Sequence, residues 1–289
     1  MNAVYRKELK GYFTDGIGLI LIAVELAVAC GFMWMFNLGV YKVSAFEYAL
    51  SPVSFVYTVA VPLLTMRLFA EEKKQGTDRL LYSLPLKMSG VALGKYFAVL
   101  TVLAVPAVVM CAYPLVLSLF GAVNFKSAYA CVLAFFLLGA ALAAVGMFIS
   151  SVCAGPGSAV VVSIAFFLAN YLLMSFEDNI TGSRLASYFA LIGVIALFGW
   201  LLYLMTKNSL LACGAVCVLA AALIALNFVK PELLTGLIPG VLSAVSLFRP
   251  ISVMATETTF DVKAAVVYIS VAVFFIYLTV AALERRRWA

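Results

Sequence analysis

An all-α polytopic membrane fold is what this sequence predicts, and three observations carry the prediction. Of its residues 66% are hydrophobic and only 11% charged. A soluble domain carries roughly 25% charged residues, so the polar shell needed to face water is missing. The apolar residues gather into runs of roughly 20, the length that takes a helix across a bilayer core of about 30 Å. The bases behind the net charge of +6 sit in short clusters between those runs, as in loops that stay cytoplasmic during insertion. No basic patch interleaved with stacking aromatics lies on a polar segment, so nucleic acid is not an expected partner.

Taken in order, residues 1–14 read as a helix lying in the inner membrane interface. Tyr5, Leu9, Tyr12 and Phe13 fall on one helical face, while Arg6, Lys7 and Lys10 point elsewhere, toward anionic headgroups. Such a helix serves as a basic anchor or as a lever that moves with the bundle. Eight apolar runs are long enough to span: 17–38, 49–70, 90–120, 127–151, 157–176, 186–206, 209–228 and 262–284. The first exceeds a signal-peptide core and lacks a small-residue cleavage site after it, so it is expected to remain as a span.

An even number of spans puts both termini on one side. The basic clusters Arg6, Lys7 and Lys10, Lys73, Lys74, Arg79 and Lys87, and Arg285 to Arg287 make that side cytoplasmic. Lys95 counts with the cytoplasmic bases, and Glu47 with the acids of the outer segments. Residues 231–250 are also apolar, but Pro231, Gly236, Pro239 and Gly240 interrupt them. The stretch 229–261 therefore reads as an outer interfacial or re-entrant segment. Pro62, Pro106 and Pro114 fall inside spans and are expected to bend them. The third run is longer than a straight crossing needs, which predicts tilt or a break. Gly139, Ala140, Ala144 and Gly146 give the fourth a small-residue stripe for close packing. No internal repeat or linker divides the chain, and residues 1–289 read as a single domain.

Two places stand out as candidate functional sites. Glu25 lies on the order of 12 Å into the first span at 1.5 Å rise per residue. A central acid costs roughly 2.5–3.5 kcal/mol on insertion scales, so it should face the bundle or a wet cavity. It is either a polar contact in a transport path or subunit interface, or a paired acid with a packing role. The second place is the cytoplasmic segment 71–89. Glu71, Glu72, Lys73 and Lys74 carry the second span into water, Gly76 breaks the helix, and Thr77 is placed to cap a new one beside Asp78 and Arg79. Leu80, Leu81 and Leu84 give that short helix an apolar face before Pro85 ends it. A short capped helix held between two spans is built to receive a push from a cytoplasmic partner.

Catalytic chemistry finds few residues to work with. The chain has no histidine, which removes a Ser–His dyad and a H-E-x-x-H zinc site. Its six cysteines lie almost entirely in apolar runs, where cysteine acts as a small hydrophobe. Cys213 and Cys217 share a helix face without a histidine to complete a common metal site. A phosphate-binding loop needs G-x-x-x-x-G-K-[ST]. The nearest lookalike, Gly155-Pro156-Gly157-Ser158, has no lysine and reads as a turn. No enzyme activity and no cofactor of its own are expected.

The stretch from Thr65 to Lys95 resembles the coupling-helix region of type-2 ABC export permeases, whose usual form is close to T-M-R-x-F-x-E-E-K-x-x-x-T-x-x-L-L-x-S-P. Matching positions are Thr65, Met66, Arg67, Phe69, Glu71, Glu72, Lys73, Thr77, Leu80, Leu81, Ser83 and Pro85. Three further stretches resemble the gliding-motility-type branch in the same order: Lys7 to Phe13, Phe148 to Ser151, and Tyr268 through Leu283 to Trp288. The resemblance implies a permease subunit of an exporter in a bacterial-type cell membrane. It would pair with itself or a sister subunit, contact membrane lipid and bind cytoplasmic ABC ATPase subunits, which hold the ATP. Residues Glu71 to Leu84 would make the ATPase contact. An external accessory protein is a further partner the resemblance allows, and the pair of spans around 186–228 departs from a six-span plan. Two rival readings stay open on the residues themselves, an ion-coupled secondary carrier and a non-transporting membrane scaffold.

Overall fold

The computed structural model describes residues 2–39, 46–77, 87–121, 123–180, 246–257 and 261–287. These residues are helical with no strand among them. Among the described residues, six helices are long and apolar enough to cross a membrane: Ile17–Gly39, Glu47–Gln75, Met88–Leu117, Phe125–Val152, Pro156–Leu173 and Val262–Arg286. This is the architecture of a multi-pass helical membrane protein. The expected spans at 186–206 and 209–228 lie outside the described residues. So do Cys213 and Cys217.

The chain opens with α1 (Asn2–Thr14), followed after a left-handed Gly16 by α2 (Ile17–Met33), which continues through a wide π turn at Trp34–Gly39. The second crossing is one rod of changing pitch: α3 (Glu47–Val53), a 3₁₀ turn at Ser54–Val56, α4 (Tyr57–Thr65), a π turn at Arg67–Glu71 and α5 (Glu72–Gln75). Its pitch tightens at Ser54–Val56 and widens at Arg67–Glu71, and Pro52 and Pro62 each leave one rung of its hydrogen-bond ladder without a donor. The long third run does break. Helix α6 (Met88–Met110) runs through Pro106, and a turn at Cys111 and Ala112 precedes α7 (Tyr113–Leu117), whose first turn holds Pro114. Then come α8 (Phe125–Val152), α9 (Pro156–Ile180), α10 (Arg249–Glu257) and α11 (Val262–Arg287). Helix α10 falls within the expected outer segment 229–261, most of which lies outside the described residues.

The chain divides into two compact units, Met1–Leu168 with Pro250–Ala289, and Ala169–Arg249. In the first, α8 is the central helix. Its most apolar stretch is 83% buried, against 22% for α11. The small-residue stripe explains how α8 is surrounded. Gly139 lies under the Tyr57 ring, where a Cβ would come within 3.0 Å, and a Cβ at Gly146 would overlap the Thr65 hydroxyl. Tyr57 also stacks on Phe135 with ring centroids 4.4 Å apart. On another side the Tyr96 hydroxyl of α6 donates to Ala140 O at 3.0 Å. Helix α11 runs along α8 in the same direction, with Phe275 against Phe148 at 5.7 Å and Arg286 reaching Val152 O at 3.1 Å. In the second unit, Leu247 N donates to Asn170 Oδ1 at 2.8 Å and Tyr171 meets Phe248 edge to face at 5.3 Å.

Candidate functional site

Most of the ion pairs of the first unit gather where α1 packs against the rod and α6. Tyr12 holds α1 there. The ring is buried and its hydroxyl donates to Leu64 O at 2.6 Å. Burial, with Glu8 adding to it, raises the phenol above its ordinary range, so it remains a donor. Tyr5 makes a second tie, to Thr101 Oγ1 at 3.0 Å. Asp15, just after α1, takes Arg67 Nη1 at 2.6 Å, and Arg67 Nε also approaches Glu71 at 3.5 Å.

The π turn Arg67–Glu71 sits beneath this layer. A widened turn takes backbone groups out of the normal i→i−4 ladder, and Ser150 of α8 supplies the missing partners. Its hydroxyl oxygen accepts from Phe69 N at 3.3 Å and Ala70 N at 3.2 Å, and its proton is donated to Met66 O at 3.2 Å. One turn on, Lys73 Nζ donates to Ser151 O and to Cys153 O, the latter at 2.7 Å. With Arg286 on Val152 O, two cations cover the last carbonyls of α8, the negative end of a long helix dipole. The Cys153 thiol beside them is pushed up by burial, against the lowering influence of Ser158, Lys73 and Arg286.

At the centre is Lys95, on the second turn of α6 and only 1% exposed. Its ammonium donates to Glu8 Oε1 at 2.9 Å, Glu72 Oε1 at 2.8 Å and Leu68 O at 2.5 Å. The nitrogen also lies 5.1 Å from the centre of the Phe69 ring, within cation–π range. Lys7 stands 3.8 Å from the same Glu72 oxygen, from a largely exposed position. Between α1 and the rod runs a cleft of about 180 Å³, walled by Lys7, Glu8, Asp15, Arg67, Glu71 and Glu72.

The rod ends at Gly76, whose φ of 71° is the left-handed value that favours glycine. Gly76 N bonds to Lys73 O at 3.1 Å and Thr77 N to Glu72 O at 3.0 Å, the paired bonds of a Schellman stop. Thr77 Oγ1 reaches back to Glu72 O at 3.3 Å. Of the predicted contact residues, Glu71, Glu72 and Lys73 are therefore engaged inside the molecule, while Lys74, Gly76 and Thr77 are exposed. Asp78, Arg79, Leu80, Leu81 and Leu84 lie outside the described residues.

Glu25 faces inward from α2, as expected of an acid inside a span, and is 2% exposed. The Tyr57 hydroxyl lies beside its carboxyl. Neither Glu25 Oε1 nor Tyr57 Oη has a well-formed hydrogen bond. Glu25 is not part of the polar end.

Lys95, grouped with the cytoplasmic bases by sequence, is the most heavily bonded cation of the cluster, and a lysine inside an apolar run is the signal that marks it. Glu47, grouped with the outer acids, is buried in the first turn of α3, 2% exposed. Among the described residues, no group of three or more His, Cys, Asp or Glu is arranged to hold a metal ion. In comparisons with known proteins, no family model matches the chain, and no match to a characterised protein is found.

Proposed function

We propose that this chain is the membrane-spanning permease subunit of an ABC exporter, driving a substrate outward with energy from a separate ATPase subunit. One observation carries the reading. The four stretches that resemble such permeases are scattered from residue 7 to residue 288, and each contributes to the polar cluster at one end of the first unit. Glu8 meets Lys95; Glu72 meets Lys95 and Lys7; Ser150 and Ser151 meet the π turn and Lys73; Arg286 meets Val152. Bracing of this kind at the end of the rod suits a segment that receives a push from a partner.

In this reading the segment beyond Gly76 enters the ATPase. A displacement there passes into α5 and the π turn, and through Ser150 and Lys73 into α8, the central helix. The chain lacks a phosphate-binding loop of its own, so ATP binds to the partner. Both termini are cytoplasmic in a bacterial-type cell membrane, with eight spans and a second permease subunit completing the pathway. The position of α1 and the end of α11 at one end of the unit supports an even count. Because Glu72 and Lys73 are held internally, the exposed contact falls to Lys74, Thr77 and the residues after them.

Affinity purification of the tagged chain from its native membrane in mild detergent tests the proposal. A P-loop ATPase should co-purify, and K74E with D78R should release it while leaving the chain's yield unchanged. A stable chain recovered without any nucleotidase would turn the reading toward a secondary carrier or a scaffold.

A further inference from the structure

We propose that Lys95 is the positioning residue that ties α1 to α5 and the π turn, the end of the rod that leads toward the ATPase contact, making α1 a moving part of the coupling device; this rests on the permease reading and deepens it. The geometry is specific. An ammonium group has three hydrogens and no acceptor, and the three acceptors of Lys95 come from three elements: Glu8 from α1, Glu72 from α5 and Leu68 from the π turn. At 1% exposure no water replaces a lost partner, and a buried charge stripped of a partner is strongly disfavoured. Neither α1 nor α5 can therefore shift alone without breaking a bond to the same nitrogen. Lys7, by contrast, reaches Glu72 from a side chain 76% exposed, where solvent screens the pair.

The same residue passes motion inward. Lys95 and Tyr96 are neighbours on α6, and Tyr96 is bonded to Ala140 of the central helix at 3.0 Å. A displacement of α5 thus reaches α1 and α8 through adjacent residues of one helix. Of the two roles open to α1, anchor and lever, this arrangement selects the lever.

The test combines a distance and a rate. Spin labels are placed at K10C and Q75C, on exposed positions of α1 and α5, in a chain whose native cysteines are replaced. The variants are K95M and E8Q/E72Q/K95M; the second keeps the buried site neutral, so it separates loss of the tie from failure to fold. Both should broaden the label distance distribution, and both should lower turnover of the co-purified ATPase by at least about 5-fold, the lower range of coupling between sites, with ATPase recovery unchanged. If the neutral triple variant keeps a narrow distribution and full turnover, the proposal is overturned. A broadened distribution with full turnover also overturns it, while leaving the permease reading standing. Absence of an ATPase from the wild-type preparation overturns both.

Discussion

The ion-paired cluster at the polar end of the first unit and a small set of acids and hydroxyls inside its helices differ in how they are partnered. At the polar end the buried charged groups have partners of matching chemistry. Lys95 uses all three hydrogens, Ser150 bonds three backbone groups, and Lys73 and Arg286 cover the end of α8. Among the described residues there, Glu72 Oε2 is buried without a partner. Deeper in the bundle, Glu25 Oε1, Glu47 Oε1, Tyr57 Oη and Thr58 Oγ1 are all buried and unpartnered. The first pattern holds elements in register. In the second, the Tyr57 hydroxyl lies beside the Glu25 carboxyl without a well-formed bond.

Substitutions can break that contrast, and the largest effect belongs to Lys95. K95M leaves Glu8 and Glu72 facing a buried site without their cation, and removing one member of a buried pair costs about 3–5 kcal/mol. A large fall in the thermal midpoint of the purified chain would register it. S150A should come next. It strands the amides of Phe69 and Ala70 inside the π turn, at about 1–3 kcal/mol for unsatisfied buried groups, and exchange of those two amide protons should accelerate. D15N removes an ion pair with Arg67 whose members are 55% and 32% exposed. With solvent screening it should cost about 0.2–1 kcal/mol and less at high salt, measurable as a midpoint difference that shrinks on adding salt. Y57F is the smallest. Its hydroxyl has no well-formed bond and the ring keeps its place on Phe135, so the midpoint should stay within about 1 kcal/mol of wild type. A large loss in Y57F would place a strong interaction at Glu25 and erase the contrast.

The sequence made the spans legible because their signal is local. Apolar length found all six described crossings to within a few residues, and the small-residue stripe marked α8 as a helix that others approach closely. Gly76 was legible for the same reason, since a glycine between charged residues and a capping threonine announces a stop. Of the prolines, Pro106 sits inside continuous α6, and the third run breaks just ahead of Pro114. What the sequence concealed is pairing across distance. Glu8, Glu72 and Lys95 are far apart in the chain, and nothing in the neighbourhood of any one names the others. Lys95 and Glu47 each lie near the end of an apolar run, where a charge fits a wet boundary or a buried site equally well. In both cases burial was decided by which helix packs alongside, a tertiary fact that hydropathy does not contain.

The partnership of α8 with α11 bears on how the protein is made. Helix α8 is the most buried element of its unit, yet the helix lying along it is synthesised only after Ala169–Arg249 has left the ribosome. At typical elongation rates that gap lasts roughly 5–20 s. During it the α8 terminus lacks the guanidinium of Arg286, and the flank that α11 will cover waits for that helix. The central helix is thus made before the helix that lies along it, and its final packing is reached only once residues 262–287 have followed.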